Sequence, residues 1–209
     1  IIVNKNGKRY LDEGANFHSH TYAMYGGEIL KQPGMSVWQV FDSKVTRLLR
    51  SEYRIRRVTK VEANTLEELA TKMEGVDAAQ FLKTVAEFNA ARPTDIPFNP
   101  NILDGRATRG LEINKTNWAN PIDTPPFHAY HVTAGITFTF GGLKITRNAE
   151  VEHSFGGVIP GLYAAGEIVG GLFFRNYGSG TGLMSGATFG RLAGKSAADY
   201  VRALSVGTS

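Results

Sequence analysis

The 209-residue sequence contains no cysteine. That one absence excludes disulfides, thiolate zinc sites, iron–sulfur ligation by this chain and a cysteine nucleophile, and it agrees with a reducing, cytoplasmic setting. No stretch approaches the roughly 20 apolar residues that cross a bilayer. The five histidines, His18, His20, His128, His131 and His153, show neither HxxxH nor HExxH spacing, so no metal site is expected. Charge of one sign is also scarce: 23 Lys and Arg face 19 Asp and Glu. This mild basicity suits anionic ligands and is too weak to argue for nucleic acid. What remains, 42% hydrophobic and 20% charged residues, is the balance of a soluble globular protein of one ordinary domain or somewhat more.

The opening Ile1-Ile2-Val3-Asn4 reads as the middle of a strand without an initiator Met, and we expect a fragment. Residues 1–12 read as a hairpin around Asn6-Gly7. A helical pattern follows near Tyr22 to Leu30, and Ser36 to Phe41 alternates as a half-buried strand. Thr65 with Glu68 and Asp77 with Gln80 have the spacing of capping boxes for two helices, the second ended by Pro93. Residues 93–126 are proline-rich connection. Beyond them 15 of the 24 glycines fall between Gly135 and Gly194, which marks a change of architecture. There, His128 to Phe140 predicts a long strand, Leu162 to Ala165 a short buried one, and Gly182 to Leu204 a helix. The fold class is α+β, with a hairpin at 1–13, a mixed lobe at 14–126 and a glycine-rich unit at 127–209.

The strongest chemical signal is Ile159-Pro-Gly-Leu-Tyr-Ala-Ala-Gly-Glu167, followed by Gly170-Gly171 and Gly178-Ser-Gly-Thr-Gly-Leu183. A strand ending in Gly-Glu can aim a carboxylate at two hydroxyls of a polyol. A glycine-rich loop entering a helix presents free amides and a dipole to negative charge. The same glycines also suit a plain sharp turn and a helix packed closely on a sheet, because Gly182, Gly186, Gly190 and Gly194 recur every four residues. A phosphate-binding loop is excluded: Leu183 stands where Lys is required.

These segments, with Phe140-Gly-Gly-Leu-Lys-Ile145 and the opening Asn4-Lys-Asn-Gly-Lys-Arg-Tyr-Leu-Asp-Glu13, resemble the C-terminal half of the fumarate reductase/succinate dehydrogenase flavoproteins. Gly170-Gly-Leu-Phe-Phe-Arg-Asn-Tyr-Gly-Ser-Gly-Thr-Gly-Leu-Met-Ser-Gly186 is most similar to the tricarballylate dehydrogenase branch. The resemblance implies the capping (catalytic) domain of an FAD enzyme plus the returning strands and helix of its FAD-binding domain. The N-terminal FAD domain, with its GxGxxG fingerprint, is then the missing partner. It implies FAD in the full-length parent and its absence from the isolated fragment. It places Gly166 and Glu167 at the ribityl hydroxyls, Gly141 and Gly142 beside the ring system, and Thr181, Gly182 and Leu183 at the N1 and C2-carbonyl edge.

The resemblance further implies a hydride exchanged between flavin N5 and a di- or tricarboxylate such as tricarballylate, with electrons passing to a membrane-associated partner. Two departures from the family bear on substrate. Tyr177 stands where fumarate reductases place a carboxylate-clamping Arg, and Thr137, Phe138 and Thr139 stand where they place a His. An uncharged 3-ketosteroid-like substrate is therefore the alternative, as is an inactive folded cap or interaction module. The basic run Lys44 to Lys60 has three readings: a solvated helix face, a carboxylate-binding rim, or a nucleic-acid surface. Arg47, the nearest match to the family's proton-delivering Arg, is the catalytic candidate together with Arg175 and Tyr177. His18, His20 and Glu13 are candidates for a proton path or a carboxylate grip. The remaining histidines, Trp38, Trp118, Phe81 and Phe88 read as structural.

Overall fold

A computed structural model describes residues 1–93 and 95–206. The chain divides into two compact units, Ile1–Gly135 and Ile136–Ser209.

The first unit is built on a four-stranded antiparallel sheet. Its strands are β1 (Ile2–Val3), β2 (Ser36–Phe41), β3 (Lys60–Ala63) and β4 (Phe127–Thr133), in the order β1-β2-β4-β3. After β1 the chain turns at Asn6-Gly7, where the Gly7 amide donates to the Asn4 carbonyl at 2.9 Å. Helix α1 (His18–Ile29) then precedes β2. Within the basic run Lys44 to Lys60, where a solvated helix face was one of three readings, the chain forms two short 3-10 turns, Thr46–Leu48 and Ser51–Arg54. Asp42, buried at the end of β2, accepts the Lys44, Asp123 and Thr124 amides and anchors both this segment and the returning loop.

Helices α2 (Leu66–Lys72) and α3 (Ala78–Ala91) cover one sheet face. Each has the expected N-cap: Thr65 Oγ1 accepts the Glu68 amide at 3.1 Å and Asp77 Oδ1 the Gln80 amide at 2.9 Å. Neither closes a reciprocal box. Glu68 reaches back to the Asn64 amide, while Gln80 turns forward to Thr84. From α3, Phe81, Val85 and Phe88 enter a core shared with Val3, Trp38, Val40, Leu69 and Ala129. Each such side chain contributes ~1.5–3 kcal/mol of burial.

Strand β4 ends at Thr133, well short of Phe140. Beyond Gly135 the chain leaves the sheet and Phe138 turns into an aromatic cluster of the second unit. That unit pairs β5 (Glu150–Glu152) with β6 (Val158–Tyr163) and ends in the long helix α4 (Thr181–Val206). Against β6, Tyr200 lies on Gly161 and Tyr163 Oη donates to the Ser196 carbonyl. Ser196 Oγ in turn donates to the carbonyl of Asn148, just before β5.

Candidate functional site

Three motifs far apart in sequence meet in the second unit. Residues 141–143 run alongside residues 168–170: the Leu143 amide donates to the Ile168 carbonyl at 2.8 Å, and the Gly170 amide to the Leu143 carbonyl at 3.0 Å. This parallel bridge leaves no room for a side chain on its inner side. A Cβ at Gly142 would collide with the Ile168 carbonyl, and one at Gly170 with the Gly142 backbone. Those two glycines are a packing requirement.

The bridge fixes the Ala164–Glu167 turn. Gly166 has φ +85°, a left-handed conformation that an L side chain rarely adopts, and its would-be Cβ points into open space. Glu167 is exposed, and one carboxylate oxygen accepts the Thr139 amide at 2.7 Å. On the neighbouring residue, the Phe138 ring lies against Gly182 at the start of α4. Gly186 of α4 lies near Gly166 as well: a Cβ added to it would come 3.6 Å from the Gly166 Cα, an ordinary van der Waals contact. Glu167 and the start of α4 are therefore linked through two adjacent residues and share one side of the unit.

The first turn of α4 has its own hydrogen-bonding pattern. The Thr181 amide and hydroxyl both donate to the Gly178 carbonyl, at 3.1 and 2.6 Å. The Gly182 amide donates to the Tyr177 hydroxyl at 2.9 Å. No backbone acceptor engages the Leu183 amide among the described residues, and the Leu183 side chain is exposed. One donor at the positive end of a 26-residue helix is thus open to a ligand. The close-packing reading of the four spaced glycines holds at Gly182, where an added Cβ would collide with the Phe138 ring and the Tyr177 hydroxyl; one at Gly186 makes ordinary contact, and those at Gly190 and Gly194 meet nothing.

Tyr177 does more than its sequence position announced. Its ring packs with Phe138, Phe140 and Phe173, at centroid distances of 4.9, 6.3 and 4.9 Å. This aromatic cluster was not legible in advance, because its members come from segments 33 residues or more apart that the Leu143–Val169 bridge and the Thr139–Glu167 hydrogen bond bring together. Arg175 sits at φ +58° in a tight turn closed by the Asn176 amide on the Phe174 carbonyl, with its guanidinium over the Phe174 ring. A non-glycine residue in that conformation is uncommon and marks a position worth testing.

The remaining candidates belong to the first unit. Arg47 is exposed in the first 3-10 turn and has no hydrogen-bond or ion-pair partner among the described residues. His18 stacks on Tyr22 and meets Arg50 at 3.1 Å. Burial first, and then the Arg50 charge, lower its pKa and favour the neutral ring. Glu13 is enclosed: Arg9 grips it in a bidentate pair at 2.6 and 3.0 Å, and the Ile2 amide donates to it at 2.8 Å. Desolvation opposes ionisation, but the Arg9 bonds and nearby positive charge, including Lys115, outweigh it and hold the carboxyl at about 2. Glu13 is thus a fixed anion, a structural clasp and not a proton carrier at neutral pH. His128, read as structural, is buried in β4 with Nδ1 3.1 Å from Glu62.

Comparison with known proteins bears on the family of the chain. A family model described as an FAD binding domain matches residues 1–183. Fumarate reductase (cytochrome) of Shewanella frigidimarina is 33% identical over 201 residues, covering 96% of this chain and 32% of the relative. The 3-oxosteroid 1-dehydrogenase of Mycobacterium tuberculosis is 31% identical, covering 95% of this chain and 38% of the relative. Among solved structures, 3-ketosteroid delta1-dehydrogenase from Sterolibacterium denitrificans superposes with a TM-score of 0.70 at 26% identity, over 95% of this chain and 38% of that one. The chain spans about a third of the length of the curated relatives it matches. It belongs to the FAD binding domain family, among the fumarate reductase/succinate dehydrogenase flavoproteins.

Proposed function

We propose that this chain is the substrate cap and returning C-terminal segment of an FAD-dependent oxidoreductase acting on CH–CH bonds, with the crossover near the Gly135/Ile136 division. The observation that carries the reading is the convergence of Gly141–Gly142, Gly166–Glu167 and the start of α4 in one unit.

The residues fit the cofactor. Would-be Cβ atoms at Gly141, Gly166 and Gly171 meet nothing, so a flat ligand can lie against that backbone. Among the described residues one Glu167 carboxylate oxygen has a protein partner, which leaves the other to accept from ribityl hydroxyls. The open Leu183 amide would donate to a carbonyl oxygen, and the dipole of α4 would stabilise negative charge there. When bound, FAD supplies a hydride acceptor or donor at its N5 atom. This chain's own residues then bind and orient: Tyr177 lines the site with its ring, and Arg175 offers a cation to a di- or tricarboxylate such as tricarballylate. A cation beside the carboxylate lowers the barrier as charge develops on the neighbouring carbon.

A second reading has its own observation. The Phe138, Phe140, Phe173 and Tyr177 rings form an apolar wall, which suits an uncharged ring substrate such as a 3-ketosteroid. Steady-state assays of the full-length protein with tricarballylate and with a ketosteroid separate the two. Turnover of the tricarboxylate alone, lost in Arg175→Gln, supports the first; turnover of the ketosteroid alone, insensitive to that change, supports the second.

A further inference from the structure

The outer face of the first unit's sheet carries a feature that the flavin reading does not use. Tyr130 and His128 of β4 lie opposite Lys60 and Glu62 of β3 and opposite Gln39 and Phe41 of β2, so all six side chains share one face. The segment of 3-10 turns folds over that face. Tyr53 pins it there: its hydroxyl donates to Gln39 Oε1 at 2.6 Å, and its ring stands edge-on to Tyr130 at 4.9 Å and to Phe41 at 5.8 Å.

Between the segment and the sheet runs a groove of about 600 Å³. Its polar lining is Thr46, Arg47, Arg54, Lys60 and His128, over Tyr53 and Tyr130, and none of the described residues that line it is acidic. The charges are poorly balanced. Arg47 has no partner among the described residues, Arg54 spends one guanidinium nitrogen on the Leu49 carbonyl, and Lys60 pairs with Glu62. Glu62 also approaches His128, whose Nδ1 lies 3.1 Å from it without hydrogen-bonding geometry. Like-charged side chains gathered at a concave, aromatic-floored surface repel one another until an anion enters, and two arginines present the planar forks that match carboxylate and phosphate oxygens. The volume suits a small molecule.

We propose that this groove is a binding site for a small doubly charged oxyanion, a dicarboxylate or a phosphate-bearing metabolite, gripped by Arg47 and Arg54 with Lys60 on the facing strand. All of its residues lie in the first unit, so the proposal does not rest on flavin binding. The test is a titration of the chain at low ionic strength with succinate and with inorganic phosphate, acetate serving as the singly charged control. Binding is read by calorimetry and by the ring resonances of Tyr53 and His128. Saturable binding of either dianion, shifting those rings, is expected. Arg47→Gln and Arg54→Gln should each weaken it about tenfold, while Arg47→Lys retains part of the affinity and Arg147→Gln, in the second unit, changes nothing. A preference for succinate identifies a carboxylate ligand and a preference for phosphate a phosphorylated one. No saturable binding, binding that leaves both rings unshifted, or equal binding in the Arg47 and Arg54 variants overturns the proposal. Because both arginines are exposed, their replacement leaves the fold intact, and the resonance map of the unsubstituted chain stands apart from any variant.

Discussion

At the scale of single residues, Glu13 and Tyr177 give the sharpest expectations. The Glu13 carboxyl is depressed from 4.5 to about 2, so its contribution is fully present above its unfolded pKa and is lost as pH falls through the folded value. Stability should therefore drop by ~3 kcal/mol between about pH 5 and pH 2. Glu13→Gln should remove most of that acid dependence in chemical denaturation; an unchanged acid limb would show that the clasp with Arg9 carries none of it. Tyr177→Phe leaves the Gly182 amide without its acceptor and should cost ~0.5–1.5 kcal/mol while preserving the aromatic packing. Amide exchange at Gly182 reports this directly, and unaltered protection would contradict the observed bond. Of these roles, the sequence carried only part. The Gly166–Glu167 turn after β6 was legible because a Gly-Glu pair closing a strand is a local pattern, while the Thr139 amide on the Glu167 carboxylate was not. Tyr177 as a helix-start acceptor and Glu13 as an arginine-held anion were not, since each depends on what folding brings beside it.

At the scale of elements, local signals were read well wherever the responsible interactions are local. Strand β2 occupies the expected Ser36–Phe41, and α2 and α3 begin one residue after Thr65 and Asp77, because alternation and side-chain capping act over a few residues. Thr65→Ala and Asp77→Ala should each cost ~1 kcal/mol, measured by thermal unfolding. Phe81→Ala, at a fully buried position on α3, should cost ~3–5 kcal/mol; a loss below 1 kcal/mol would place Phe81 outside the core. Several elements depart from expectation: residues 1–12 hold a turn but no second strand, because β1 pairs with β2 instead, and the short buried strand expected at Leu162 to Ala165 is the largely exposed β6, Val158–Tyr163. The basic run breaks into 3-10 turns because Tyr53 is drawn onto Tyr130 and Gln39. The strand expected to reach Phe140 stops at Thr133, where residue pairing with β2 ends at Ser36. Hydrophobic alternation continues past that point, but there is no partner strand to receive it.

At the scale of the whole molecule, the second unit exposes much apolar surface. Ile136, Phe155 and Phe174 are 96, 94 and 80% exposed, and Leu183, Met184, Val201 and Val206 stand out from α4. Apolar exposure of that extent marks a surface made to be covered. The chain alone should bind a hydrophobic dye strongly, and the full-length protein much less per mole; equal dye binding would remove the argument that more polypeptide covers this face. No helix among the described residues is long and apolar enough to cross a membrane, so a spanning segment does not account for the exposure. The central claim is that Glu167 and the start of α4 cradle a flavin. The most direct measurement is the flavin absorbance that copurifies with the full-length protein and with its Glu167→Ala variant, both checked for folding by circular dichroism. The account predicts a loaded parent and a folded variant that has lost most of its flavin, whereas equal loading of the two would contradict it.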